Sequence, residues 1–292
     1  MRIANSGDRL YIVRGERAHD VAEISQGRFS PDPQAIYERW DEFLGWADAL
    51  PADPPGVPLA ELPLGAPVPR PRQVFAIGLN YALHVAEAKK DLPLPEFPST
   101  FTKFPACLAG PDDVVELSGD TVDWEVELVA VIGRPAHRVA ESDGWSHIAG
   151  LTVGQDISDR TVQLRPPTPQ FSLGKSFPGF GPTGPYVVTP DELPDRDDLA
   201  IGCTLNGEEV QSSRTGHLIF GIPALVAELS AVTPLLPGDL IFTGTPSGVG
   251  VAREPKRFLG AGDELVSTIE GIGSIRTRFA ARRSAALADI TH

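Results

Sequence analysis

The chain has 292 residues, and 25 Lys and Arg stand against 39 Asp and Glu, a formal net charge of −14. Such acidity argues against a nucleic-acid partner or an anionic membrane surface, because both call for a basic face. A hydrophobic fraction of 41% supplies a core, and 29 Gly with 29 Pro mark a loop-rich chain short of low complexity, of the kind that most often handles small molecules.

The first residues, Met1 to Asp8, contain no apolar run of the signal-peptide type, and the nearly apolar stretch 218–236 is broken by Gly221, Pro223, Glu228 and Pro234. The expected location is therefore the cytoplasm, with no membrane span. Leu10–Val13 reads as a strand. From Ser30-Pro31, apolar residues recur at Ile36, Trp40, Phe43, Leu44 and Ala47, the three- and four-residue steps of a helix. Prolines without periodicity fill Pro51–Pro71, so residues 1–70 are expected to form a small N-terminal α+β domain and linker, and residues 71–292 the main domain.

Beyond residue 70, Gln73–Gly78 reads as a buried strand ending in glycine. Asn80 is placed to cap a short helix running to about Lys90, with a Pro-rich loop from Asp91 to Pro98. Strand-like runs follow at 114–117, 125–132, 186–188, 201–205 and 240–242, and a helix is expected between about His217 and Ala231. Asn206-Gly207 marks one hairpin, and Glu270–Gly273, between 264–269 and 274–279, marks another. Strands outnumber helices without βα alternation, which predicts an α+β, mostly β fold. Cys107 and Cys203 lack metal-site spacing and are expected to be buried thiols. Gly174-Lys175-Ser176 lacks the leading glycine of a phosphate loop, and the GxGxxG match at 179–184 runs into Pro185 and a strand rather than a helix.

The chemistry concentrates in a few segments. In Asp123-Trp124-Glu125-Val126-Glu127, strand alternation puts the three acids on one face and Trp124, Val126 and Leu128 on the other. Carboxylates so placed repel unless solvated or neutralised, and the run leads straight into the apolar residues 128–132. Hard oxygen ligands of this type suit Mg²⁺, Mn²⁺ or Ca²⁺. Asp156, at the end of another apolar run, is the candidate third ligand; on a helix it would share a face with Arg160 and Gln163. His84 and Glu87 are spaced i, i+3, so the carboxylate can orient the imidazole. Lys175, one of five lysines, sits in an apolar setting that calls for an acid or a substrate anion. The glycine-rich loop 243–250 offers backbone N–H groups to an oxyanion.

Together these segments resemble the fumarylacetoacetate hydrolase family over about residues 70–280. The likeness is carried by Gly78–Glu87, Asp123–Glu127, Gly154-Gln155-Asp156 with Arg160 and Gln163, Gly174–Phe177, Gly184-Pro185 and Thr243–Gly250. It implies a mixed β-sandwich roll, a homodimer, and Mg²⁺ or Mn²⁺ held by Glu125, Glu127 and Asp156. It also implies a His84–Glu87 dyad on a lid, Lys175 as a catalytic cation, and Arg160, Gln163 and Thr245 as substrate contacts. Pro178, where many members carry Asp, and the proline-rich 164–170 depart from the common pattern. The expected activity is metal-dependent hydrolysis of a C–C bond in a β-diketo acid such as an acylpyruvate, with His84 activating water. The alternative is lyase or isomerase chemistry, such as decarboxylation of oxaloacetate, at the same site.

Overall fold

The computed structural model describes residues 1–51, 54–88 and 93–282. The fold is α+β with strands dominating, as the sequence predicts. Its frame is a mixed sheet of twelve strands among the described residues, against which a second sheet of five packs.

Val126–Ile132 runs through the middle of the large sheet, antiparallel to Ile148–Gln155 on one side and to Leu240–Phe242 on the other. All seven of its residues are buried. Val126, Leu128, Ala130 and Ile132 join one core, and Val129 and Val131 join a second. Covering on both faces explains why this segment reads as an unbroken apolar run rather than an alternating one. The first core also takes in the five-stranded sheet through Ile201, Leu205, Leu265, Ile269 and Ile275.

The second core is built largely from the first fifty residues. A helix at Trp40–Asp48 and a 3₁₀ turn at Ala35–Arg39 bring Tyr37, Trp40 and Phe43 together with Phe29 in a run of ring contacts, with centroids 5.4–5.8 Å apart. Leu10–Val13 belongs to a longer strand, Arg9–Arg14, inside a meander with Arg2–Ser6 and Arg17–Asp20. Arg2–Ser6 pairs with Gly181–Val188, so the meander extends the main sheet. The proline-rich stretch after residue 50 is tied down too: Val57-Pro58 pairs with the meander's outer strand, Leu64-Gly65 with its inner one, and Val68 is buried.

Both expected hairpins form. At Asn206-Gly207 the backbone has φ of 53° and 84°, the left-handed pair that a two-residue turn of this hand requires. The longest helix among the described residues is Ile222–Val232. No helix among the described residues is long and apolar enough to cross a membrane. Cys107 and Cys203 are free and buried, and burial raises both thiols above their ordinary range.

Candidate active site

Strand register brings the three acids together. Val126 pairs with Gln155, and beyond the last pair the Asp156 N–H donates to the Glu125 carbonyl at 2.9 Å. Gln155 fixes the same corner, its side-chain oxygen accepting from the Glu125 N–H at 2.8 Å. Glu125, Glu127 and Asp156 are all buried and offer oxygens within 4.8 Å of one another. Glu127 is oriented by the Gly244 N–H, 2.8 Å from its Oε2. Gly244 has φ of 102°, and a Cβ there would stand 2.8 Å from the Asn80 Cβ, so only glycine brings that N–H in.

Cations surround the acids. Lys175 Nζ donates to Glu125 Oε2 at 2.8 Å, Asp156 Oδ2 at 2.6 Å and Ser158 Oγ at 2.8 Å, engaging all three of its protons. Lys103, fully buried, donates to the other Asp156 oxygen at 2.7 Å and to the Lys175 carbonyl. Arg160 stands 2.7 Å from Glu125 Oε1, bonds Asp123 through Nε at 2.8 Å and gives Nη1 to Gln163 at 2.8 Å. Burial alone would raise Glu125, yet Lys175 and Arg160 outweigh it and hold the carboxyl at about 2. Burial raises Glu127, and the charges of Asp156 and Glu125 push it further, well above the ordinary carboxylate range. Burial favours the neutral form of Lys175, but Asp156 and Glu125 keep its ammonium above the usual lysine value. The acids thus form a hard-oxygen cluster in which one carboxyl resists ionising for want of positive charge. That donor chemistry fits a divalent cation.

Asp123, expected on the same face as the two glutamates, does a different job. The strand breaks after it, and it accepts from the N–H groups of Gly250 and Val251 at 2.7 and 2.9 Å while pairing with Arg160. It clamps the end of the glycine loop. The helical face expected for Asp156, Arg160 and Gln163 does not form, because the one-turn helix spans only Arg160–Gln163 with Asp159 as its cap. Arg160 and Gln163 meet there as i, i+3 neighbours, and Asp156 reaches the cluster from the strand end.

A cavity of about 490 Å³ opens onto this cluster, with Glu125, Lys175, Arg160, Gln163 and Thr245 on its wall. Glu127 and Asp156 do not reach that wall. Thr245 donates its hydroxyl to the Val126 carbonyl at 2.9 Å and accepts from Gln211 at 2.8 Å, which pins the glycine loop to the central strand. His84 and Glu87 also line the cavity, from the helix Ala82–Ala88. His84 Nδ1 lies 2.7 Å from Glu87 Oε1, and Glu87 is held by the Gly248 N–H at 2.9 and 3.1 Å from its two oxygens. Asn80 is not that helix's cap. Its side chain is buried and bridges two loops, donating to the carbonyls of Phe220 and Thr243 and accepting from the Phe220 N–H. The expected helix end at Lys90 lies outside the described residues.

Sequence reasoning missed Lys103, Gln155 and Gln211. Lys103 lies in Phe101-Thr102-Lys103-Phe104-Pro105, apolar surroundings much like those that singled out Lys175, and that signal would have found it.

The family profile described as "Fumarylacetoacetate (FAA) hydrolase C-terminal" matches residues 73–280. The human protein named oxaloacetate tautomerase FAHD2A, mitochondrial, is 43% identical over 229 residues, covering 78% of this chain and 72% of that protein. A solved structure described as a putative HpcE protein from Mycobacterium smegmatis is 51% identical, with a TM-score of 0.91 over 97% of this chain and 100% of that one. Maleylpyruvate hydrolase from Sphingobium sp. SYK-6, solved with manganese(II) and pyruvate, is 27% identical, with a TM-score of 0.79 over 97% of this chain and 100% of that one.

Proposed function

Because this chain belongs to the fumarylacetoacetate hydrolase family, we propose that it is a divalent-metal-dependent enzyme that forms and reprotonates the enolate of a 2-keto acid, with keto–enol isomerisation of an oxaloacetate-like acid as its reaction. The observation that carries this reading is the convergence of Glu125, Glu127 and Asp156 beside one cavity that also holds the His84–Glu87 pair. The named activity of the relatives at 42–43% identity, oxaloacetate tautomerase, supports isomerisation over the C–C hydrolysis that the sequence first suggests.

Glu125, Glu127 and Asp156 would hold Mg²⁺ or Mn²⁺, which would supply Lewis acidity to the bound keto acid. The manganese in the Sphingobium enzyme supports that choice of ion. Glu87 holds His84 Nδ1, which leaves Nε2 as the proton acceptor. His84 takes a proton from the carbon next to the keto group as the double bond shifts from C=O to C=C, and the proton is delivered to the former keto oxygen to complete the enol; the reverse steps regenerate the keto form. The negative charge that develops lies near Lys175, whose ammonium is fixed by three hydrogen bonds before the reaction starts. Arg160, Gln163 and Thr245 form the adjoining wall and keep Glu125 and the glycine loop in register.

Hydrolysis is the second reading, favoured by the position of the dyad: a base aimed into an open cavity also serves to deprotonate water. One experiment separates the two. Oxaloacetate and an acylpyruvate are each followed by NMR in ¹⁸O-labelled water with Mn²⁺ or Mg²⁺ present. The expected result is faster enol–keto interconversion of oxaloacetate with its carbon skeleton intact. Labelled carboxylic acid and pyruvate from the acylpyruvate, with no effect on oxaloacetate tautomers, would overturn isomerisation in favour of hydrolysis. Pyruvate and CO₂ from oxaloacetate would assign decarboxylation instead.

A further inference from the structure

The cations deep in the cavity are already engaged. Lys175 gives its three protons to Glu125, Asp156 and Ser158, and Arg160 serves Asp123, Glu125 and Gln163. Lys103 is bonded to Asp156 and the Lys175 carbonyl. The exception is Arg160 Nη2, buried and 2.7 Å from both Asp123 and Glu125 but without a well-formed hydrogen bond, so a substrate carboxylate away from the metal-chelating end finds few free cationic donors at the floor.

The rim is different. Past the Asp123 clamp, the chain continues through Val251 and Ala252 into Arg253, Glu254 and Lys256, all on the wall of the same cavity. Lys256 is exposed and has no hydrogen-bond or ion-pair partner among the described residues. Arg253 is half-buried, with its guanidinium 5.7 Å over the Trp124 ring. Its Nε and Nη2 donate to the carbonyls of Gly248 and Val210, which fixes the group and leaves Nη1 without a partner among the described residues. Glu254 is the one acid in this stretch and is exposed. The cavity wall also carries apolar side chains, among them Leu79, Phe101, Leu164, Phe171 and Val249. A cavity of about 490 Å³ is much larger than a four-carbon keto acid needs, so it has room for a spacer between two charged ends.

We propose that Lys256, with the free edge of Arg253, forms an anion subsite at the rim that selects 2-oxo dicarboxylates by their distal carboxylate. This rests on the assignment of the floor to the 2-keto acid end of the substrate. Glu254 opposes the subsite and tunes it. A carboxylate and an ammonium or guanidinium make a charge-assisted pair, and exposure at the rim keeps that pair modest in strength and sensitive to salt.

The test is equilibrium binding, which needs no turnover. Manganese-loaded full-length protein is titrated by calorimetry with 2-oxo diacids of four, five and six carbons, each beside the 2-oxo monoacid of equal length. The wild type should bind the diacid roughly three- to tenfold more tightly at the length that spans the cavity, with the preference shrinking as salt is raised. Lys256→Met should reduce that preference at least threefold and leave the monoacid Kd in place, while Glu254→Gln should enlarge it. Equal binding of diacid and monoacid at every length, or a preference that survives Lys256→Met, would overturn the subsite. Selective diacid binding without enolisation would keep the subsite and remove the proposed reaction. Enolisation without diacid preference would do the reverse.

Discussion

The floor of the cavity and the helix proposed as its lid are built on opposite principles. The floor carries Glu125, Glu127 and Asp156 at the ends of central strands, and its charged groups are joined across 19 to 53 residues of chain by Lys175 and Lys103. Each of those groups is buried, and all but Glu127, which is held by the Gly244 N–H, have more than one partner, so moving one disturbs several. The lid is one short helix, Ala82–Ala88, whose working pair is fixed by a contact within the helix and one anchor on Gly248. The contrast separates two needs. Positions of charge that must be set in advance come from sheet register, and the group proposed to handle protons sits on one short helix at the cavity wall.

The largest expected effect lies in the floor. Lys103→Met removes the partner of one Asp156 oxygen and of the Lys175 carbonyl while roughly keeping side-chain volume. Breaking a buried pair in this way should cost about 3–5 kcal/mol of stability in metal-free protein. Urea unfolding checks it, and a loss below about 1 kcal/mol would show that the floor is less tightly coupled than its hydrogen bonds imply.

The lid should behave the other way round. His84→Ala should lower kcat roughly 10²–10³-fold, about 3–4 kcal/mol in the barrier, and leave Mn²⁺ binding and unfolding midpoint nearly in place. Steady-state kinetics beside thermal unfolding make the comparison. Near wild-type kcat would remove His84 from the chemistry.

How much of this contrast was legible in the sequence follows from its range. The dyad is local, three residues apart on one helix, and the glutamates are two apart on one strand, so periodicity exposes both. Asp156 came from the end of an apolar run, although its helical spacing to Arg160 and Gln163 misled: a one-turn helix starting at Arg160 does not reach back to it. Asp123 fits the alternation equally well, but a break before Val126 frees it to clamp Gly250 and Val251. Nothing local distinguishes these outcomes. Gln155, Gln211 and Asn80 act on partners 30, 85 and 140 residues away, at distances only the folded sheet defines. The N-terminal strands were legible only in part because Arg2–Ser6 is stabilised by pairing with residues near 188.

Metal removal gives a smaller, pH-dependent effect on the floor. Burial and two neighbouring carboxylates hold Glu127 well above the ordinary carboxylate range. The unfolded chain loses this proton near the usual pKa, whereas the metal-free fold retains it to higher pH. Above the usual pKa the fold therefore binds more protons than the unfolded chain, and its stability falls as pH rises. A divalent cation favours the ionised form and offsets the fall. At about 100-fold excess over Kd, Mg²⁺ or Mn²⁺ should add about 2.7 kcal/mol, and the gain in Tm over chelator-treated protein should be larger at pH 8 than at pH 6. A gain that is flat across this range would place the raised carboxyl outside the metal site.

Glu87→Gln should have the smallest effect and bears most directly on the lid. In the wild type both Glu87 oxygens accept: Oε1 from His84 Nδ1 and, more weakly, from Gly248, and Oε2 from Gly248. Gly248 has φ of 109°, and a Cβ there would come within 2.1 Å of the Val210 carbonyl, so its N–H is fixed in place and cannot turn away. Glutamine keeps a single acceptor oxygen, and its NH₂ set against the Gly248 N–H would place donor against donor. The side chain can satisfy His84 or the loop but not both as well as glutamate does. Loss of one such contact should lower kcat about tenfold, near 1.4 kcal/mol, with little change in unfolding midpoint because the lid lies outside the packed cores. Faster proteolytic cleavage near the lid, at unchanged global stability, would show that the Gly248 anchor is the contact given up. A fall in kcat with cleavage unchanged would show instead that His84 lost its orientation. A fall in unfolding midpoint as large as that of Lys103→Met would erase the distinction between lid and floor.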